Sequence, residues 1–301
     1  MRYLVTPAAV ILAVLIAVPA AAGRPDGVHV MIVNDDGIAE PGIAALAEAV
    51  AAIPGCRVTV VAPASHQSGQ SQAVVTRGPI AVRRHEPVGG CPAWAVEGTP
   101  ATTARLGISA ILAGDPPDLV LSGINFGEND GILAWYSGTV GAAREAVIAG
   151  VPAIAFSLEL DWSDPRPDFP TAAALARTVV EGVLEHPLPA GVLLNVNIPK
   201  DPSHTKGFRL ARMSTARSEK VAFERVGTEP DGTVLYRPHW RPARSEDHGT
   251  DTWALDAGYV TIVPLGLDQT RLDAFPVLGW VANLETVTVA SPAPAAAAAT
   301  P

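Results

Sequence analysis

The stretch "VHVMIVNDDGIAEPGIAALAEAVAAIPGCRVTVVAP", residues 28–63, decides the fold. Val28 to Val33 is a short apolar run, the mark of a buried strand. Pro41 to Ile53 follows a helical period, with Ile43, Leu46, Val50 and Ile53 on one face. Pro41 suits the first helical turn, where its missing N–H has no intrahelical partner to lose. Arg57 to Pro63 is a second strand, stopped by its proline. Strand, helix and strand at this spacing form a βαβ unit, and such a unit makes its two strands parallel.

Outward from this unit the alternation repeats. Thr99 is placed to cap a helix with Pro100 at its first position and Leu106, Ile108 and Ile111 as apolar positions. Leu119 to Ser122 reads as a strand, Gly138 to Ala149 as a helix rich in small residues and Val151 to Ser157 as a strand. Thr171 to Leu184 reads as a helix and Gly191 to Pro199 as a further strand. The prediction is an α/β fold: a Rossmann-like, doubly wound, mostly parallel sheet buried on both faces. Residues 76–96 carry shorter, more polar signals and suggest an antiparallel excursion. Beyond residue 200 helical period fades, and "FRLARMS", "VLYRP" and "GYVTIVPL" read as strands of a β-rich extension reaching to about residue 285, suited to oligomer contacts. Residues 286–301 are low complexity and are expected to be disordered.

With 48% hydrophobic residues the chain can bury a sizeable core, and its net charge of −9 opposes binding to nucleic-acid polymers or anionic membrane surfaces. Residues 1–22 have the tripartite pattern of a secretory signal: Arg2, an apolar run from Ala8 to Val18, and small residues ending at Ala22. The competing reading is an uncleaved membrane anchor. Cleavage would start the mature chain near Gly23 in a periplasmic or extracellular compartment, without a stable membrane span. The two cysteines, Cys56 and Cys91, are too few for a disulfide framework, although an oxidising compartment would permit them to pair.

In an open α/β sheet, ligands sit beyond the carboxyl ends of the strands, and the informative residues fall there. Asp35 and Asp36 follow the first strand directly. A single aspartate would be an ordinary turn or cap residue. Two adjacent carboxylates in a partly dry cleft call for a compensating charge, and oxygen ligands select hard ions such as Mg²⁺, Mn²⁺ or Ca²⁺. Ser68 and Asn125, each just beyond its own strand, are placed to add neutral oxygen donors. Ser137, Gly138 and Thr139 stand at a helix start, where free N–H groups and hydroxyls bind anions; the simpler reading is a helix cap. A cation facing such a terminus suits metal-assisted phosphoryl transfer to water, with Asp35 or Asp36 as proton acceptor. His66 reads as a solvated loop residue or a proton shuttle. H-E-x-x-H, C-x-x-C, P-loop and G-x-S-x-G patterns are absent.

The blocks "MIVNDDGIAEPGI", "VVAPASHQSGQSQAVVT", "EGTPATTARLG", "LVLSGINFGEN" and "YSGTVGAAREAVIAGVPAIAFS" resemble, in order, those of the SurE survival-protein family of phosphatases. "NVNIP" and "GTDTWALDAGYVTIVPL" extend the resemblance from about residue 28 to 267. It implies a metal-dependent 5'-nucleotidase acting on nucleoside monophosphates, with one Mg²⁺ or Mn²⁺ per subunit, assembled as a homodimer or homotetramer. Matched position by position, Asp35, Asp36, Ser68 and Asn125 correspond to the metal ligands. Asn34 and the Ser137–Thr139 turn correspond to the phosphate pocket. The export signal and the uncharged "ASHQ" loop at 64–67 depart from many members of that family. Two alternatives stand beside the nucleotidase: a broad phosphatase or exopolyphosphatase using the same site, and a non-catalytic nucleotide- or sugar-binding module.

Overall fold

The structure is a computed structural model and describes residues 27–161, 163, 166–216, 221–240, 245 and 247–283. The expected signal segment and the low-complexity tail lie outside these residues. The opening βαβ unit is present as β1 (Val28–Val33), α1 (Pro41–Ala51) and β2 (Cys56–Pro63), with β1 and β2 parallel. The polar excursion forms an antiparallel hairpin of β3 (Val82–Val88) and β4 (Cys91–Val96), and β4 returns parallel to β2.

The chain then crosses to the other side of β1. Helix α2 (Pro100–Leu106), capped by the Thr99 side chain, leads to β5 (Leu119–Phe126). Helix α3 (Gly138–Ile148), β6 (Ala153–Leu158), α4 (Phe169–Glu185) and β7 (Val192–Ile198) follow. Helix α2 stops earlier than its apolar period suggests and continues as a π-helical turn over Gly107–Ile111. There a Cβ on Gly107 would lie 2.6 Å from Met31 Sδ, so a larger residue would have to displace the end of that side chain.

The β-rich extension divides differently from the sequence expectation. Strands β8 (Phe208–Leu210) and β11 (Val260–Gly266) join the main sheet, which has the order β3-β4-β2-β1-β5-β6-β7-β11-β8. Only β9 (Val221–Thr228) and β10 (Val234–Trp240) form a separate antiparallel hairpin. Local periodicity cannot reveal this split, since the partner of β11 is β7, distant in sequence. The short α5 (Asp251–Asp256) precedes β11. Residues 268–283 belong to a second compact unit, containing α6 (Phe275–Leu278) and short 3₁₀ turns.

Both faces of the sheet are covered. Ile43, Leu46 and Val50 of α1 and Ala172, Ala176 and Val180 of α4 pack against Ile32, Leu121, Ile154 and Phe156 on one face. Val140, Ala143 and Ala146 of α3 pack with Val33, Val120, Ala155 and Leu193 on the other. Strand order reverses at β1, between β2 and β5, so the carboxyl ends of β1 and β5 flank the crevice where doubly wound sheets bind ligands.

Both cysteines are free thiols, against the expected possibility of a bridge. Extending the β2–β4 register puts them on neighbouring strands but two residues out of step. That offset separates the Cα atoms by roughly 8 Å, too far for a disulfide without backbone movement.

The start of α1 rests directly on β5: a Cβ on Gly42 would lie 2.1 Å from the Ile124 carbonyl oxygen and 2.9 Å from the Phe169 ring. Backbone cannot yield as a side-chain tip can. Gly42→Ala is therefore expected to lower the midpoint of thermal unfolding by about 3–10 °C, as overpacking of this kind does. An unchanged midpoint would show that this contact is not a constraint.

Candidate functional site

The turn that follows β1 is built by Asn34. Its Nδ2 donates to the Gly37 carbonyl (2.8 Å), and the Gly37 N–H donates back to its Oδ1 (3.3 Å). Gly37 adopts φ +119°, a conformation that side chains rarely tolerate. Both ends of the Asn34 amide are thus committed to the turn, which fixes Asp35 and Asp36 at the strand exit. The next loop is tied to the same place: the Gln67 N–H donates to the Asp35 carbonyl (2.7 Å) and the Ile38 N–H to the Pro63 carbonyl (2.9 Å).

Asp35 and Asp36 are both buried, at 3% and 9% exposure. Thr139 of α3 donates its hydroxyl to Asp35 Oδ1 (2.5 Å), and the Phe126 N–H at the end of β5 donates to Asp36 Oδ2 (3.1 Å). Helix α3 approaches so closely that a Cβ on Gly138 would lie 2.9 Å from Asp35 Cβ and from Asp35 Oδ2. Glycine is the residue that allows this contact. Ser137 caps the helix by accepting from the Val140 N–H (3.1 Å).

Burial raises the Asp35 carboxyl above its ordinary range, opposed by its hydrogen bonds from Thr139. Burial first, and then the charge of Asp35, push Asp36 up to about 7. Among the described residues no lysine or arginine forms an ion pair with either carboxylate. The His66 ring, largely exposed, has Nδ1 3.9 Å from Asp36 Oδ1.

Asn125 lies just past a register irregularity between Ser122 and Asn125 in the β5–β6 ladder. Such irregularities re-aim side chains at strand ends. Its Nδ2 donates to the Gly127 carbonyl (2.7 Å), leaving Oδ1 without a hydrogen-bond partner among the described residues. Ser68 is exposed on the loop, one residue beyond Gln67.

The residue set fits a hard divalent cation. Two buried carboxylates lack a compensating side-chain cation, a neutral amide oxygen stands uncommitted, and a serine hydroxyl lies on the loop tied to Asp35. Among the described residues no group of three or more His, Cys, Asp and Glu could hold a metal, so a cation held by Asp35 and Asp36 would need neutral oxygens to complete its shell. The structure thus brings Asp35 into direct contact with Gly138 and Thr139, and Asp36 into contact with the end of β5. It places Asn125 at the facing strand end and Ser68 on the rim.

Sequence reasoning missed two supports. Asn129 is buried and donates to Ser157 Oγ (2.8 Å) and Thr139 Oγ1 (3.5 Å). Asp251, fully buried on α5, accepts from the N–H groups of Gly131, Ser214 and Thr252, each at 2.8 Å. Their position inside the quoted blocks "LVLSGINFGEN" and "GTDTWALDAGYVTIVPL" was the signal available.

A sequence model of the family described as Survival protein SurE matches residues 30–220. The chain belongs to the SurE family. It is 42% identical over 244 residues to 5'-nucleotidase SurE 1 of Thermus thermophilus, covering 80% of this chain and 93% of that protein. It is 40% identical over 263 residues to 5'-nucleotidase SurE of Alkalilimnicola ehrlichii, covering 85% and 96%. The crystal structure of the SurE protein from Aquifex aeolicus superposes with a TM-score of 0.71 at 34% identity, covering 84% of this chain and 99% of that one.

The charge arrangement of this SurE chain has a consequence for pH. Because the folded-state pKa of Asp36 is raised from 3.8 to about 7, the metal-free folded form holds a proton that the unfolded chain releases. Stability of the metal-free protein therefore declines as pH rises through that window. A bound cation needs the deprotonated pair and relieves the repulsion. The rise in unfolding temperature on adding Mn²⁺ is expected to be larger at pH 8 than at pH 5.5. Equal rises at both values would remove Asp36 from the cation site.

Proposed function

We propose that the chain is a divalent-metal-dependent 5'-nucleotidase that hydrolyses nucleoside 5'-monophosphates to nucleoside and phosphate. The observation that carries the reading is the contact between an uncompensated carboxylate pair and the start of α3, made through Thr139 and Asp35. The candidate anion site is thereby set directly against the candidate cation site. The names of the curated relatives supply the nucleotide as the substrate class.

Asp35, Asp36, Asn125 and Ser68 hold the ion, Mg²⁺ or Mn²⁺ being best suited to an all-oxygen shell. When bound, it supplies Lewis acidity and lowers the pKa of water. The protein's own groups do the rest. The Ser137 hydroxyl and the N–H at the first position of α3 orient the phosphate for in-line attack and stabilise charge growing on its oxygens. The Thr139 hydroxyl, expected in the phosphate pocket, is committed to Asp35 and holds that carboxylate instead. One of the two aspartates receives the proton of the attacking water. Gly138 keeps this space clear, and no side-chain nucleophile is required.

We also propose that the protein is exported after cleavage near Gly23 and assembles as a homodimer or homotetramer through the β9–β10 hairpin. That hairpin exposes Phe223, Val226, Leu235 and Tyr236. Among the described residues no helix is long and apolar enough to cross a membrane. Mass spectrometry of protein recovered from the exported fraction, under denaturing and then native conditions, is expected to give a chain beginning near Gly23 and an even-numbered assembly. A chain beginning at Met1, or a monomer, would remove the corresponding part of this reading.

The reaction is tested with a panel of nucleoside monophosphates and simple phosphate esters, with and without chelator. Hydrolysis is expected to depend on added divalent metal and to favour nucleoside 5'-monophosphates. Asp35→Asn is expected to lower turnover by at least ~10³, the loss that follows when metal activation of water fails. Full activity in excess chelator would contradict the metal site. Equal hydrolysis of every ester would replace the nucleotidase by a general phosphatase.

A further inference from the structure

Strand β7 carries Asn195 and Asn197 at alternate positions, hence on one face of the sheet, and neither is accessible to solvent. Leu193, of the same parity, packs with α3, so this is the α3 face. Both asparagines are directed at one residue of the β5–α3 connection. Asn197 Oδ1 accepts from the Asn129 N–H (2.7 Å), and Asn195 Nδ2 donates to the Asn129 carbonyl (2.9 Å). A backbone N–H only donates and a carbonyl only accepts, so the orientations of both side-chain amides are fixed.

From Asn129 the contacts continue to the site. Its side chain bonds Ser157 and reaches Thr139, and Thr139 bonds Asp35. In register, Asn125, Ser157, Asn197 and Thr261 are neighbours across β5, β6, β7 and β11. One polar row therefore crosses four strands, and it begins at a candidate cation ligand.

This arrangement is unfavourable for the sheet alone. Asn195 Oδ1, Asn197 Nδ2 and Thr261 Oγ1 are buried without a hydrogen-bond partner among the described residues. An aliphatic side chain at each place would remove an unsatisfied polar atom from the core. What the two asparagines contribute in return is a backbone fixed at both its donor and its acceptor, between Asn125 and Thr139.

We propose that Asn195 and Asn197 are positioning residues of the site. By clamping Asn129 they hold the loop that follows Asn125 and, through Thr139, the Asp35 carboxylate in the geometry that binds the cation. This inference rests on the reading of Asp35 and Asn125 as cation ligands. The side-chain hydrogen bonds of both asparagines go to the Asn129 backbone and not to Asp35, Asp36, Ser68 or Asn125, so each acts through Asn129.

The test compares Asn197→Leu, Asn195→Leu and Asn197→Asp with the parent protein. Mn²⁺ affinity of the metal-free chain is measured by calorimetry, kcat and KM with adenosine 5'-monophosphate, and stability by thermal unfolding. Asn197→Leu leaves the buried Asn129 N–H unpaired and is expected to lower the unfolding temperature by a few degrees. In the folded protein Mn²⁺ affinity and kcat are each expected to fall about tenfold or more while KM changes little, the range seen when groups behind metal ligands are removed. Asn197→Asp keeps the acceptor for Asn129 and is expected to recover most of the affinity. If Asn197→Leu does not fold, Asn195→Leu, which removes only the bond to the carbonyl, decides on the same measurements. Leucine variants with affinity and kcat within twofold of the parent would overturn the proposal. So would losses that only track unfolding, with unchanged affinity in the folded fraction. A parent that binds Mn²⁺ but hydrolyses no nucleotide would defeat the proposed reaction, and the affinity comparison would still decide the positioning role.

Discussion

Everything in this molecule turns on the burial of two adjacent like charges at the exit of β1. Separately, each carboxylate has protein donors: Thr139 for Asp35 and the Phe126 N–H for Asp36. Burial first, and then the charge of Asp35, still push the Asp36 carboxyl up to about 7. The surrounding elements are arranged to hold that pair. The Asn34–Gly37 turn fixes its backbone, the β5 terminus meets it from one side, and α3 is pressed against it because Gly138 has no side chain.

The βαβ start was legible because its signals are local: a short apolar run, a helical period after a proline, and a second apolar run. The same holds for α3, whose cap Ser137 is visible as the polar residue before a small-residue helix. The carboxylate pair was equally plain, since adjacency in sequence guarantees adjacency in space. The geometry around it was not. The full length of β5 hides an irregularity between Ser122 and Asn125, and nothing in the local pattern announces it. Asn34, matched by resemblance to the phosphate pocket, directs its amide to Gly37 instead.

Long-range pairing was the other blind spot. Residues 208–210 and 260–266 read as strands of an appendage, yet they complete the main sheet beyond β7. Asn195 and Asn197 lie within the stretch read simply as a strand, and no local pattern shows their role, because their partner Asn129 lies 66 to 68 residues away. The pairing of Cys56 and Cys91 that an oxidising compartment would permit fails for a related reason. Neighbouring strands brought the thiols near each other, but register kept them apart.

The two ends of the nine-stranded sheet have a consequence for strand addition. At one end β3 carries Arg83, Arg84, His85 and Glu86, all exposed, with Pro87 removing a backbone donor. At the other, β8 is only three residues long. Charged, proline-bearing or very short edge strands are poor templates for adding another strand. Both edges of the sheet therefore disfavour a further strand, and the aspartate-lined crevice lies at the exit of β1, five strands away from the β8 edge and three from the β3 edge.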